Sequence, residues 1–130
     1  MKAVFSFPFI YPSKNRILGM GHWERYKVKK TYDTAMAASL NLAKPWPKFT
    51  GQVQIKVLLC FSKKRRRDFG NYEPFWLLDI LVRAGILKDD SEKYLSERCA
   101  IAFIEGEKEQ TTVVIEEIKI KEEKDEKEDV

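Results

Sequence analysis

The sequence is poor in the residues that build metal-thiolate or disulfide frameworks. One histidine and two cysteines occur among 130 residues. Cys60 and Cys99 form no CxxC pair and no Cys/His spacing, which argues against a structural zinc site. Both sit in apolar stretches and read as reduced, buried thiols of a cytoplasmic protein. No apolar run approaches the roughly 18 residues that a membrane span needs. Met1–Ile10 is apolar but contains Pro8 and lacks a basic n-region, so it reads as a strand and not as a secretion signal. Acidic residues are scarce in one half of the chain only. Residues 1–67 carry fifteen Lys/Arg and two Asp/Glu, a balance of +13. Residues 68–130 carry nine and eighteen, a balance of −9. The overall +4 therefore conceals a basic half suited to a polyanion.

Enough apolar material is present for one core. Hydrophobic residues make up 44%, with eight Phe, five Tyr and three Trp. The length suits a single domain, assigned here to residues 1–120. Met1–Ile10 supplies β-prone bulk in Val4, Phe5, Phe7 and Phe9. Tyr11–Asn15 reads as a turn. Gly19–Lys30 reads as a basic, aromatic loop leading into a helix over Thr31–Ala43. Tyr32, Met36 and Leu40 recur there at helical spacing. Pro45 and Pro47 stop that helix.

Gln52–Phe61 reads as a central strand and ends in the basic run Lys63–Arg67. Asn71–Ala84 reads as a second helix, with Pro74 in its first turn and Gly85 as its stop. Leu95–Glu105 and Thr111–Ile120 read as two strands of a hairpin about the turn Gly106–Gln110. Residues 121–130 are almost wholly charged and read as a disordered tail. The expected fold class is α+β: a mixed β-sheet of about four strands with two helices, in the chain order β-α-β-α-β-β.

Chemistry concentrates where these elements end. Asp68 directly follows five cations at the end of a strand, and Asp89-Asp90 follows the stop of the next helix. A strand, a helix and a short return can bring the two points together. Converging aspartates suit Mg²⁺, which takes carboxylate oxygens and keeps waters for a phosphate substrate. Lys63, Lys64, Arg65, Arg66 and Arg67 beside them would hold a phosphate backbone. A plain surface run, a turn carboxylate and an Asp–Arg pair are the competing readings of the same residues. In the basic loop, Lys14, Asn15, Trp23, Arg25 and Lys27 combine cations with aromatics, as backbone grip plus base stacking requires.

The stretch Arg65-Arg66-Arg67-Asp68-x-x-Asn71, followed by Leu78-Asp79-x-Leu81-x-x-Ala84-Gly85-x-x-x-Asp89-Asp90-Ser91, resembles the RusA-type endonucleases that resolve four-way DNA junctions. Pro12-Ser13-x-Asn15 and His22-Trp23-x-Arg25-x-Lys27 are similar to the opening of phage-type members. The resemblance implies a homodimer on branched DNA, serving recombination and repair. It implies an Mg²⁺-dependent site in each subunit, with Mn²⁺ as a substitute, that cuts one of two opposed strands. Carried over by position, Asp68 and Asp90 are the metal ligands, with Asp89 as a further catalytic carboxylate and Asn71 at the nucleic acid. Gly70 stands where the family has a third aspartate and Phe75 where it has a lysine. Glu73, three residues after Gly70, is a candidate substitute carboxylate, and Asp79, in the helix, takes a structural or supporting part. The alternative is a degenerate relative that binds junctions without cutting them. A third reading is an interaction domain whose basic and acidic halves mediate self-association.

Overall fold

The computed structural model describes residues 1–89 and 99–118. Four strands form one sheet: β1 (Lys2–Phe7), β2 (Val53–Phe61), β3 (Ala100–Glu105) and β4 (Gln110–Glu117). Among the described residues three α-helices accompany it: α1 (Lys14–Leu18), α2 (His22–Leu42) and α3 (Phe75–Arg83). A 3₁₀ turn spans Phe69–Tyr72. The fold is therefore α+β with a mixed sheet, as expected, but with a third α-helix. No helix among the described residues is long and apolar enough to cross a membrane.

The sheet order is β1-β4-β2-β3. β4 runs antiparallel to both β1 and β2, while β2 and β3 are parallel. This corrects the expected hairpin. β3 and β4 are consecutive but unpaired, because the link between them crosses the end of β2. Gly106 makes that crossing, donating its N–H to Phe61 O at 3.1 Å. A Cβ there would lie 2.6 Å from Cys60 Sγ, so the close approach requires glycine. The parallel pair is joined through α3, as parallel strands must be by a crossover.

Strand periodicity decides which face is covered. Val53, Ile55, Val57, Leu59 and Phe61 are all buried, and the residues between them are not. Val57 lies opposite Val113 and Ile55 opposite Ile115, so β4 extends the same buried face. Phe5 and Phe7 complete it from β1. The opposite face carries Lys56 and Val4, both exposed, so the helices pack on one side only.

α3 presents Leu77, Leu78, Ile80 and Leu81 to this layer. It ends at Gly85, whose φ of 82° is the left-handed geometry that a helix stop calls for. Pro74 stands just before the first helical residue, so the preceding chain turns as a 3₁₀ segment and not as helix. α2 begins at His22, nine residues before the expected start at Thr31. Its first two turns bury nothing, so they carry no hydrophobic period to read. No Gly or Pro interrupts them after Gly21, and Glu24 in the first turn suits the positive end of the helix dipole.

Met36 and Leu40 anchor the second half of α2, and Trp46 Nε1 donates to Leu40 O at 2.7 Å, satisfying a terminal carbonyl. α2 meets α3 through Lys29, Asp33, Asp79 and Arg83, whose four ion pairs measure 2.9–3.1 Å. Asp79 thus takes its supporting part between two helices. The carboxylates also hold the Arg83 guanidinium protonated more firmly than usual, chiefly through its bond to Asp33.

Candidate nucleic-acid interface

The site grows from the end of β2. After Phe61 the chain leaves the sheet as an exposed basic loop. Arg67 folds that loop. Its guanidinium lies 3.6 Å from the centroid of the Phe61 ring. It donates to Lys63 O and to Arg65 O, each at 3.0 Å. Arg67 is thereby committed to structure, whereas Arg65 and Arg66 stay exposed with no ion pair among the described residues.

Asp68 caps the 3₁₀ turn through its backbone: Asn71 N–H donates to Asp68 O at 3.1 Å. The Asp68 side chain makes no capping bond and stays exposed. Phe69 stacks on Phe103 at 4.7 Å between ring centroids, fixing the turn against β3. Tyr72 meets the edges of Phe61 and Phe103. Tyr11 Oη donates to Tyr72 O at 2.6 Å. Burial raises the Tyr11 phenol well above its ordinary value, with Cys99 and Tyr72 nearby adding to the shift, so this donor stays protonated.

The short α1, expected as a turn, closes the other side. Ser13 Oγ accepts from Arg16 N at 3.2 Å and caps it. Asn15 N then donates to Asn71 Oδ1 at 2.8 Å across 56 residues of sequence. The result is a cleft of about 380 Å³ lined by Arg65, Arg66, Arg67, Asp68 and Asn71, with Ser13, Asn15 and Tyr72. Among the described residues three guanidinium groups stand against one carboxylate, which makes the cleft anion-attracting, and arginine offers planar, paired donors to phosphate oxygens.

Several expected residues lie elsewhere. Lys63 and Lys64 are exposed in the same loop but do not line the cleft. Lys14 is exposed on α1. Trp23, Arg25 and Lys27 belong to the first turns of α2, which corrects their assignment to a loop. Glu73 and Asp89 do not line the cleft. Asp89 is half-buried, takes part in an interaction of its own, and follows Leu87, which bridges to Phe49 ahead of β2. Asp90 lies outside the described residues, as do the first residues expected of the strand at 95–105 and the tail at 121–130. Ser13 and Tyr72 are lining residues that sequence reasoning missed. Ser13, a residue type favoured at helix N-caps, was the one local signal for α1; nothing local marks Tyr72.

Of the residues lining the cleft, Asp68 and Asn71 carry side-chain oxygens of the kind a hard cation takes. Mg²⁺ is typically held by one or two carboxylates together with substrate phosphate, and Asp68 with the free lone pair of Asn71 Oδ1 suits that preference. Asp68 is the one carboxylate lining the cleft, and no group of three His, Cys, Asp or Glu converges among the described residues. Comparison of the sequence with protein-family models finds no match, and comparison with curated proteins finds none either.

Proposed function

We propose that this chain is a RusA-like, Mg²⁺-dependent, structure-selective endonuclease that acts on branched DNA in the cytoplasm as a homodimer. One observation carries the reading: Asp68 shares a single cleft with Arg65, Arg66, Arg67 and Asn71. Arg65 and Arg66 hold phosphate oxygens of the strand. Asp68 offers its carboxylate and Asn71 its amide oxygen to a divalent ion, with Asp90 as the second ligand that the resemblance supplies. Bound Mg²⁺ or Mn²⁺ would polarise the phosphodiester and acidify an attacking water.

The test is nicking of a synthetic four-way junction with Mg²⁺ or Mn²⁺. Cleavage that is lost in EDTA and in Asp68→Asn supports the enzyme. Intact junction at every concentration of either metal refutes it.

A second reading has its own observations. Gly70 has open space where a carboxylate would stand. Phe75 is 60% exposed at the start of α3, where the family has a lysine. Those positions favour a protein that grips junctions without cutting. It predicts junction binding in EDTA that weakens steeply with salt, because counterions are released on phosphate neutralisation. It also predicts that Gly70→Asp with Phe75→Lys installs cleavage. Absence of binding at low salt defeats it.

A further inference from the structure

The first two turns of α2 are exposed on every side, from His22 to Lys27. A helix stripped of tertiary burial at one end is normally polar there. This one is not: Trp23 is 73% exposed and Tyr26 58%. At 3.6 residues per turn, Trp23, Lys27 and Lys30 fall on one stripe with Tyr26 at its edge, and the stripe lies about a third of a turn round the helix from the buried Met36 and Leu40. Tyr26, Lys27 and Lys30 line a groove of about 700 Å³ whose floor continues along Thr31, Thr34 and Ala35. That floor is low because its threonines fold back, Thr31 Oγ1 onto Lys27 O and Thr34 Oγ1 onto Lys30 O.

The lysines on this stripe, Lys27 and Lys30, make no ion pair among the described residues, although Glu24 stands three residues before Lys27 and Asp33 three after Lys30. Lys29 is paired with Asp33 and Asp79 on the inner side of the helix. Arg25 is turned toward α1, where it donates to Ile17 O at 3.4 Å. That contact holds the amino end of α2 beside the helix whose Asn15 lines the arginine cleft. Two exposed rings and two free cations on one face ask for a partner that is both anionic and flat-faced.

We propose that this face of α2 is a second nucleic-acid contact, one that holds unpaired strand by stacking bases on Trp23 and Tyr26 while Lys27 and Lys30 neutralise its phosphates. An unpaired strand fits better than a duplex. Duplex bases are already stacked, and groove reading relies on Arg, Asn or Gln at base edges, which this stripe lacks. Aromatic platforms with interspersed cations are the means by which single strands are held without sequence preference. The inference goes beyond the cleft reading and stands whether or not the cleft cuts.

The experiment uses the full chain in EDTA, so that cleavage plays no part, with a short oligothymidylate as probe. Trp23 is the most exposed of the three tryptophans, so binding should quench the indole emission. Trp23→Ala should abolish most of the quench and weaken binding on the order of tenfold, the scale of one lost stacking platform. Trp23→Phe should keep most of the affinity while losing the signal. Lys27→Ala with Lys30→Ala should lower the slope of log K against log salt by about 1.4, two single-strand phosphates. The duplex of the same sequence should bind these variants and the wild type alike. Lys56→Ala, exposed on the opposite face of the sheet, serves as the control and should leave both the affinity and the Trp23 quench in place. The inference is overturned if Trp23→Ala and the lysine variants bind oligothymidylate like wild type. It is equally overturned if the quench follows protein concentration without oligonucleotide, which would mark a second copy as the partner, or appears only with anionic lipid vesicles.

Discussion

Arg67→Ala should separate the architecture of the basic loop from its function. Arg67 is the one arginine of the run whose head group is occupied, by the Phe61 ring at 3.6 Å and two carbonyls at 3.0 Å. A cation over an aromatic ring near the surface contributes about 0.5–1 kcal/mol. Hydrogen bonds from a charged donor reach about 1.5–3 kcal/mol when buried, but both carbonyls here lie in an exposed loop that water can solvate. Discounting each to a few tenths gives a total of about 1–2 kcal/mol. For a chain of this size that corresponds to a loss in Tm of roughly 3–10 °C. Arg67→Lys should fall between, since an ammonium keeps the charge but not the planar fork that spans two carbonyls. Arg65→Ala with Arg66→Ala should leave Tm within about 1 °C and lower the slope of log K against log salt for duplex-armed DNA by about 1.8. The assays are thermal denaturation and salt-dependent DNA binding on the same preparations. An unchanged Tm in Arg67→Ala, with the larger share of the salt slope lost there, would refute the division of labour.

Two further outcomes follow from packing and burial. Tyr11→Phe removes the donor to Tyr72 O from a buried site and should cost about 1–3 kcal/mol in denaturant unfolding. Because burial raises the Tyr11 phenol in the folded state above its ordinary 10.0, folding favours the protonated form. That stabilisation is fully present below about pH 10 and is lost as pH rises toward the folded value, so wild-type stability should fall on the alkaline side. The tyrosine's share of that fall should be missing in Tyr11→Phe, and identical alkaline slopes for both proteins would contradict the assignment. Gly106→Ala should destabilise by about 1–3 kcal/mol through its clash with Cys60 Sγ. Adding Cys60→Ala should remove most of that penalty; additive losses in the double mutant would mean that the clash is not the cause.

The sequence by itself determined the elements that bury a periodic face. β2 was legible because five alternate residues from Val53 to Phe61 all enter the core. The end of α3 was legible because only glycine takes the φ of Gly85 cheaply. The basic run was legible as a charge pattern, and the loop placed Asp68 beside it in the cleft.

Tertiary structure decided the rest, because it depends on competition between distant segments. A polar link from Gly106 to Glu109 looks like a hairpin turn. Yet β4, with Val113 and Ile115 fully buried, takes the interior place between β1 and β2. β3 buries less and takes the edge beside β2. No local signal records that exchange, since pairing energy is settled only when all four strands compete for the same buried face. The start of α2 was hidden for the opposite reason: helix that buries nothing has no period to read. Asn15 and Asn71, 56 residues apart, share a hydrogen bond that closes the cleft. That meeting requires α1 and the 3₁₀ turn to be docked by the core beneath them, through Tyr11 and Tyr72, and so belongs to the fold and not to any stretch of the chain.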